Sequence, residues 1–264
     1  MELKSIVTTL ESQIPCCAVD VLSPEEATIV QFLASEITLN MEIPAYYWNL
    51  GRPGLEQARV ALDGGLAFKP VETYKKPPHA DPLMFVFEYI ENTSTPGVFI
   101  LADIHPFISK DSPVLSWEVI TRIKNLYHRL KPTDKRIVLL GQGIQLHDSL
   151  VRLIPYCEVP LPTAVQIEDH IRTYLPYLAE AAAEQEVDFL VNLSSEEIEG
   201  LSRAALGTTL EEISDFLRLY VKEQLTPEGI RIDNLIICAA AEYKTRLIKQ
   251  MGIELGKPAT IPQR

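Results

Sequence analysis

No uninterrupted apolar stretch in this chain approaches the roughly 18 residues a membrane-crossing helix needs. The opening Met1-Glu2-Leu3-Lys4 lacks the basic region and apolar block of a secretory signal, so a cytoplasmic setting without a membrane span is expected. Cysteine is scarce. Cys16, Cys17, Cys157 and Cys238 contain no Cys-x-x-Cys spacing, which leaves buried free thiols in a reducing compartment rather than a metal cluster or redox pair. Positive charge is also short, with 24 Lys and Arg against 36 Asp and Glu and a formal charge of −12. Such a field repels phosphate backbones, and nucleic acid is not an expected partner. The densest basic stretch runs through Arg122, Lys124, His128, Arg129, Lys131, Lys135 and Arg136. Interleaved with Ile123, Leu126, Leu130 and Pro132, it reads as the solvated side of a helix and its turn.

What is present is a chain of 264 residues with 47% hydrophobic content, enough for one α/β domain and a smaller second one. In Gly97-Val98-Phe99-Ile100-Leu101-Ala102-Asp103-Ile104-His105-Pro106, the run from Val98 to Ala102 is apolar without alternation. That is how a strand covered on both faces of a parallel sheet reads. Asp103 then places a carboxylate at the carboxyl end of a central strand, where open α/β sheets bind ligands. Further strands are expected at Cys16 to Val21, Ala45 to Trp48, Arg136 to Gly141 and Tyr156 to Val159. Separated by helices, they make a three-layer, mostly parallel five-stranded sheet over residues 1–162. Gly54 to Leu62 is expected as a short helix closed by Gly64-Gly65, followed by a proline-rich excursion with an edge hairpin around Ala67 to Tyr74. From Thr163 the pattern turns helical: Thr163 to Glu184, Ser195 to Ala204, Thr209 to Gln224 and Arg231 to Met251. An all-helical, lid-like domain at 163–251 and a tail or linker at 252–264 complete the chain.

One absence bears on function directly. A phosphate grip needs small residues whose backbone amides converge, then a lysine and a hydroxyl for magnesium. Leu22-Ser23-Pro24-Glu25-Glu26 stands where the first strand should open into such a loop. Pro24 has no amide to donate, and two glutamates put negative charge where a phosphate would sit. The stretch reads instead as a helix start with Ser23 as N-cap and Glu26 as its capping-box partner. Asp103 is followed by Ile104 rather than by a glutamate that could orient an attacking water. His105 precedes a proline and has no Ser or Cys nucleophile in a recognisable elbow. Asp103, His105 and His147 together define a small-molecule hydrolase as one alternative, without the spacing of a metal site. No catalytic residue, metal ligand or cofactor is assigned from these residues.

The order of strand, helix, Gly-Val-Phe-Ile-Leu-Ala-Asp-Ile-His-Pro-Phe, helix, Arg-Ile-Val-Leu-Leu-Gly and Val-Pro-Leu-Pro before a helical domain resembles an AAA+ module. More narrowly, it resembles the amino-terminal, nucleotide-independent half of the Ycf46-type AAA+ ATPases of cyanobacteria and plastids. The matching places are Ile14-Pro15-Cys16-Cys17, Phe99 to Phe107, Val159-Pro160-Leu161-Pro162 and Leu206 to Ile213, within a span of about Ile14 to Met251. The resemblance implies that Asp103 holds the position of the second acidic nucleotide-site motif. It also implies that Gln142 or Gly143 lies near the sensor-strand end and Arg152 near the arginine-finger region. Asp103, Gln142 and Arg152 are therefore the candidate cofactor-binding positions, in a chain without a phosphate grip. A non-catalytic adaptor or regulatory module follows, docking a catalytic AAA+ protein or a second copy of itself. The family links it to inorganic-carbon regulation in photosynthetic cells, in the cytoplasm or the plastid stroma. A sensor that binds ATP or ADP without hydrolysis is the alternative within the same fold. Among the aromatic residues Tyr46, Tyr47, Trp48, Phe68, Tyr74 and Trp117, the interface candidates are Tyr74 and Trp117, joined by Arg152. Relatives continue into a second half with a complete phosphate loop, so a piece of a longer protein and a free-standing relative both stay open.

Overall fold

Successive side chains of a strand point to opposite faces, so a continuous apolar run feeds two cores at once. A computed structural model, describing residues 3–61 and 65–250, shows this sorting along every central strand. Contacts divide the chain into two units, Met1–Pro160 and Leu161–Arg264. The expected tail at 252–264 and the first glycine of Gly64-Gly65 lie outside the described residues.

In order, the first unit contains α1 (Leu3–Glu11), β1 (Cys16–Asp20), α2 (Glu26–Ser35), β2 (Ala45–Trp48), β3 (Glu56–Val60), β4 (Leu66–Pro70), α3 (Pro82–Asn92), β5 (Gly97–Ala102), α4 (Trp117–Leu130), β6 (Lys135–Gly141), α5 (Asp148–Val151) and β7 (Tyr156–Glu158). The sheet is seven-stranded in the order β4-β3-β2-β5-β6-β1-β7. The strands from β2 to β7 in that order pair in parallel, as the apolar runs require. On one face Ala18, Phe99, Leu101, Ile137 and Leu139 pack with Phe87 of α3 and Ile120, Ile123 and Leu126 of α4. On the other, Cys17, Val19, Ile100, Val138 and Leu140 pack with Ile6 and Leu10 of α1 and Ile29 and Leu33 of α2. Three layers result, with the sheet in the middle.

The edge departs from the sequence expectation. Gly54 to Leu62 does not form a helix; Glu56–Val60 is β3, antiparallel to β2 and to β4. Glu, Gln, Ala and Arg favour helices, but this segment has no apolar helical stripe, and Ala58 alone turns into the core. The two hairpin strands extend the parallel set. The basic stretch also divides. Lys135 and Arg136 are buried on β6, not solvated, with 7% and 4% of their surface exposed. The Lys135 ammonium donates to the carbonyls of Ile90 (2.7 Å), Glu91 (2.9 Å) and Thr93 (2.9 Å), closing the carboxyl end of α3.

The second unit contains α6 (Ala164–Ala183), β8 (Phe189–Val191), α7 (Ser195–Ala204), α8 (Leu210–Glu223), β9 (Leu225–Thr226), β10 (Gly229–Ile232) and α9 (Leu235–Gln250). Three of its helices start with reciprocal capping boxes: Thr163 with Gln166, Ser194 with Glu197 and Thr209 with Glu212. It is not all-helical. A small sheet in the order β8-β10-β9 interrupts the helices, and the segment expected as the start of the last helix is β10. Ile230 and Ile232 alternate with exposed Arg231 there, which buries two side chains into the helical core as a strand would. Among the described residues, no helix is long and apolar enough to cross a membrane. All four cysteines are free; Cys16 and Cys17 are buried as expected, but Cys157 is half-buried and Cys238 exposed on α9.

Replacing Lys135 with Met should cost about 2 kcal/mol, because three carbonyls lose their donor while the burial cost of the ammonium disappears. Urea unfolding followed by circular dichroism reads the loss.

Candidate functional site

The connection from β6 to β7 crosses over β1, so the strand order reverses beside β1 and opens a crevice at the carboxyl ends of the strands. Asp20 ends β1 in that crevice. Its Oδ1 accepts the Gly143 amide at 2.8 Å; its Oδ2 accepts the Ile144 amide at 3.0 Å and the Tyr156 hydroxyl at 2.7 Å. One carboxylate thereby joins the exits of β1 and β6 to the start of β7. Gly143 sits at φ +67°, a left-handed conformation that a glycine adopts without strain and that turns its amide onto Asp20. The Tyr156 phenol is pushed far up by burial first, then by its bond and proximity to Asp20, which keeps it a donor.

The amides after β1 are spent in the same way. Val21 N–H donates to the Gly141 carbonyl (2.9 Å), Ser23 N–H to Gln142 Oε1 (3.1 Å), and Glu25 N–H to the Leu22 carbonyl (2.9 Å). Glu26 N–H donates to the Ser23 carbonyl, and Pro24 has no N–H. Ser23 is not the N-cap that its neighbours suggest. Its hydroxyl donates to Gln142 Oε1 at 2.7 Å, residues Ser23–Glu25 form a 3-10 turn, and α2 begins at Glu26. The Gln142 side chain draws both Ser23 donors across the crevice, and the Glu26 carboxylate turns to the Tyr47 hydroxyl (3.3 Å) instead of reaching back. None of these four amides is therefore left for a ligand in the crevice.

Its charge is negative. Glu26 has its pKa raised by burial and then by Asp103, which places two carboxylates in one field. Asp103 is exposed and holds φ +60°, a left-handed backbone that aspartate tolerates at about 1 kcal/mol, with its amide on the Leu140 carbonyl (3.0 Å). Burial lowers the His105 pKa against the pull of Asp103 and Asp20. Its ring rests on the backbone of Gly141, where any Cβ would overlap Nδ1. That nitrogen is buried without a partner among the described residues. Asp103 and His105 thus share one field, whereas the His147 ring is engaged elsewhere: Nδ1 accepts the Ser149 amide (3.2 Å) and the ring stacks edge-on to Trp117. No group of three or more His, Cys, Asp or Glu among the described residues is placed to hold a metal ion.

The profile of SpoVK-like AAA ATPase N-terminal domains matches residues 3–159, more than half of the chain. The chain belongs to that family. Solved structures agree on the fold. In the E. coli MS115-1 HORMA:CdnC:Trip13 complex, a chain 11% identical to this one matches 97% of it and 79% of its own length at a TM-score of 0.55. C. elegans PCH-2 is 12% identical over 93% of this chain and 67% of its own, with a TM-score of 0.55. Rhizobiales Trip13 is 10% identical over 90% and 76%, at 0.54. These likenesses show the fold alone, an α/β core followed by a helical region. No curated protein sequence matches.

Within this SpoVK-like domain the remaining candidates separate. Gln142 belongs to the Ser23 clamp. Arg152 follows α5 and lines a cavity beside β7. Trp117 is 62% exposed. Tyr74 is half-buried against the core, edge-on to Phe85 and Tyr89, and burial pushes its phenol up to about 12. Tyr46, Tyr47 and Trp48 are core residues. Asp20 and Tyr156 were not singled out in the sequence. The signal available for Asp20 was the one that marked Asp103, a carboxylate closing an apolar strand.

Gly141→Ala should destabilise the SpoVK-like domain by about 2 kcal/mol through overlap with His105. His105→Ala in the same chain should recover most of that loss, a coupling read by a double-mutant cycle in urea. Glu26→Gln tests the carboxylate field. Because the folded pKa of Glu26 is raised, its charged form is penalised in the fold at pH 7, and the penalty fades as pH falls through the raised pKa toward 4.5. The variant should therefore be more stable than the parent at pH 7 and equal to it at low pH, as measured by thermal melts across that range.

Proposed function

We propose that this chain is a non-catalytic AAA+ module that acts through protein contacts and does not depend on nucleotide. The observation that carries the reading is the closed crevice beside β1. Asp20 and Gln142 occupy the donors of the β1 and β6 exits, and Glu26 and Asp103 add negative charge where a triphosphate would lie. A fold kept without its phosphate grip has its surfaces left to work with, and a catalytic AAA+ protein or a second copy is the partner class. The resemblance to Ycf46-type ATPases extends this reading to inorganic-carbon regulation in photosynthetic cells, and rests on the sequence motifs alone.

Titration calorimetry decides between this module and a nucleotide sensor. No saturable heat is expected with ATP or ADP at millimolar concentration, with or without magnesium. Tight binding of either nucleotide would replace the adaptor with the sensor. Mass measurement by light scattering, alone and with a catalytic AAA+ protein from the same cells, should show a heavier species than one chain.

A further inference from the structure

The Asp20 anchor holds more than the crevice. A cavity of about 560 Å³ lies on the β7 side of the first unit, within the range of roughly 300–1,000 Å³ typical of small-molecule sites. Ile144, Leu146, Ile154 and the Tyr156 ring form apolar wall, and Arg152 is the one charged residue among the described residues that line it. Two of those wall residues are fixed by a single carboxylate, Ile144 through its amide and Tyr156 through its hydroxyl, both on Asp20 Oδ2. Ile144 and Ile154 are buried, so the wall is formed before anything enters. The Arg152 guanidinium has no hydrogen-bond or ion-pair partner among the described residues. A second cation stands close by, since the Lys131 ammonium lies 5.2 Å from the ring centroid of Tyr127, another lining residue. In a chain of formal charge −12, an unpartnered guanidinium on the cavity wall favours an anion at Arg152, while Asp20 and Glu158 set negative charge near Tyr156.

We propose that this cavity binds a small amphipathic carboxylate, with its apolar body against Ile144, Leu146, Ile154 and Tyr156 and its carboxylate on Arg152. Arg152 is exposed, and a guanidinium pairs with a carboxylate through two parallel hydrogen bonds while the ligand's apolar body adds burial against the wall. Asp20 is a positioning residue in this arrangement. It touches no ligand and holds two sides of the cavity in place. Because Asp20 also closes the crevice, the site rests on that reading, and the decanoate and nucleotide titrations are read separately.

Decanoate and decylammonium have the same apolar chain and opposite charge, and calorimetric titration of the full chain with each tests the assignment. Decanoate is expected to bind at one site per chain at least about tenfold more tightly than decylammonium. Arg152→Gln should abolish that preference by weakening decanoate alone. Asp20→Asn should weaken decanoate by loosening the wall. Because that change acts on three strand ends, Val151→Glu serves as the second variant: this lining residue is 56% exposed, and a carboxylate there should repel decanoate without disturbing the fold. Failure of decanoate to bind, equal affinity for the two probes, or an unchanged preference in Arg152→Gln would each overturn the proposal.

Discussion

Three donors from two separate segments converge on the carboxylate of Asp20, and the carboxyl end of the sheet is arranged around that convergence. Hydrogen bonds to an ionised acceptor are shorter and roughly twice as strong as neutral ones. Here they bind the turn after β6 and the first residue of β7 to the last residue of β1. The parallel ladder alone would align these strands without setting how their exits turn. The left-handed Gly143 lets the chain double back so that two successive amides, its own and that of Ile144, reach the same side chain. Tyr156 then fixes the edge strand from the other side.

The clamp decides what the switch point can do. In an open α/β sheet this is where a ligand would meet strand-end amides and a helix start. In this chain the amides of Val21, Ser23, Glu25 and Glu26 already have acceptors within the protein. The pairing of Ser23 with Gln142 is an interaction across the crevice, so it closes the space as well as consuming donors. The core beneath needs no ligand to be complete. Its apolar runs bury both faces of β2, β5, β6 and β1, and the order of the strands is that of a sheet whose exits would otherwise be free.

Elements defined by local chemistry were legible from the sequence, and those defined by distant partners were not. Four of the five parallel strands could be read from their short apolar runs, and β7, largely exposed, from Tyr156 to Val159 standing before Pro160-Leu161-Pro162. Helix α3 could be read because Pro82 stands at its first turn after the Asp81 cap, and α7 because Ser194 and Glu197 form their box within four residues. β3 was hidden because its residues favour helix and its pairing with β2 and β4 overrides that preference. β8, β9 and β10 are two to four residues long, too short for a period to declare itself. Ser23 misled because its acceptor stands 119 residues further on, and Asp20 was silent because its donors stand 123 to 136 residues away. Lys135 and Arg136 looked solvated beside a basic helix, whereas β6 carries them inward.

Lost donors and an opposing field act on a phosphate independently, and either is large enough to matter. Each charge-assisted amide bond that a phosphate cannot make forgoes about 1.5–3 kcal/mol. Each carboxylate within about 6 Å of an incoming phosphate charge opposes it by roughly 3 kcal/mol at an effective dielectric of 20. Glu26 already registers that field, since burial and Asp103 disfavour its own charge. A group that resists its single negative charge would resist the several charges of a triphosphate more strongly. Restoring one feature, such as a glycine in place of Pro24, would therefore leave the other in force. Binding would need both the donors released from Asp20 and Gln142 and the carboxylates neutralised, which is more than one substitution can supply.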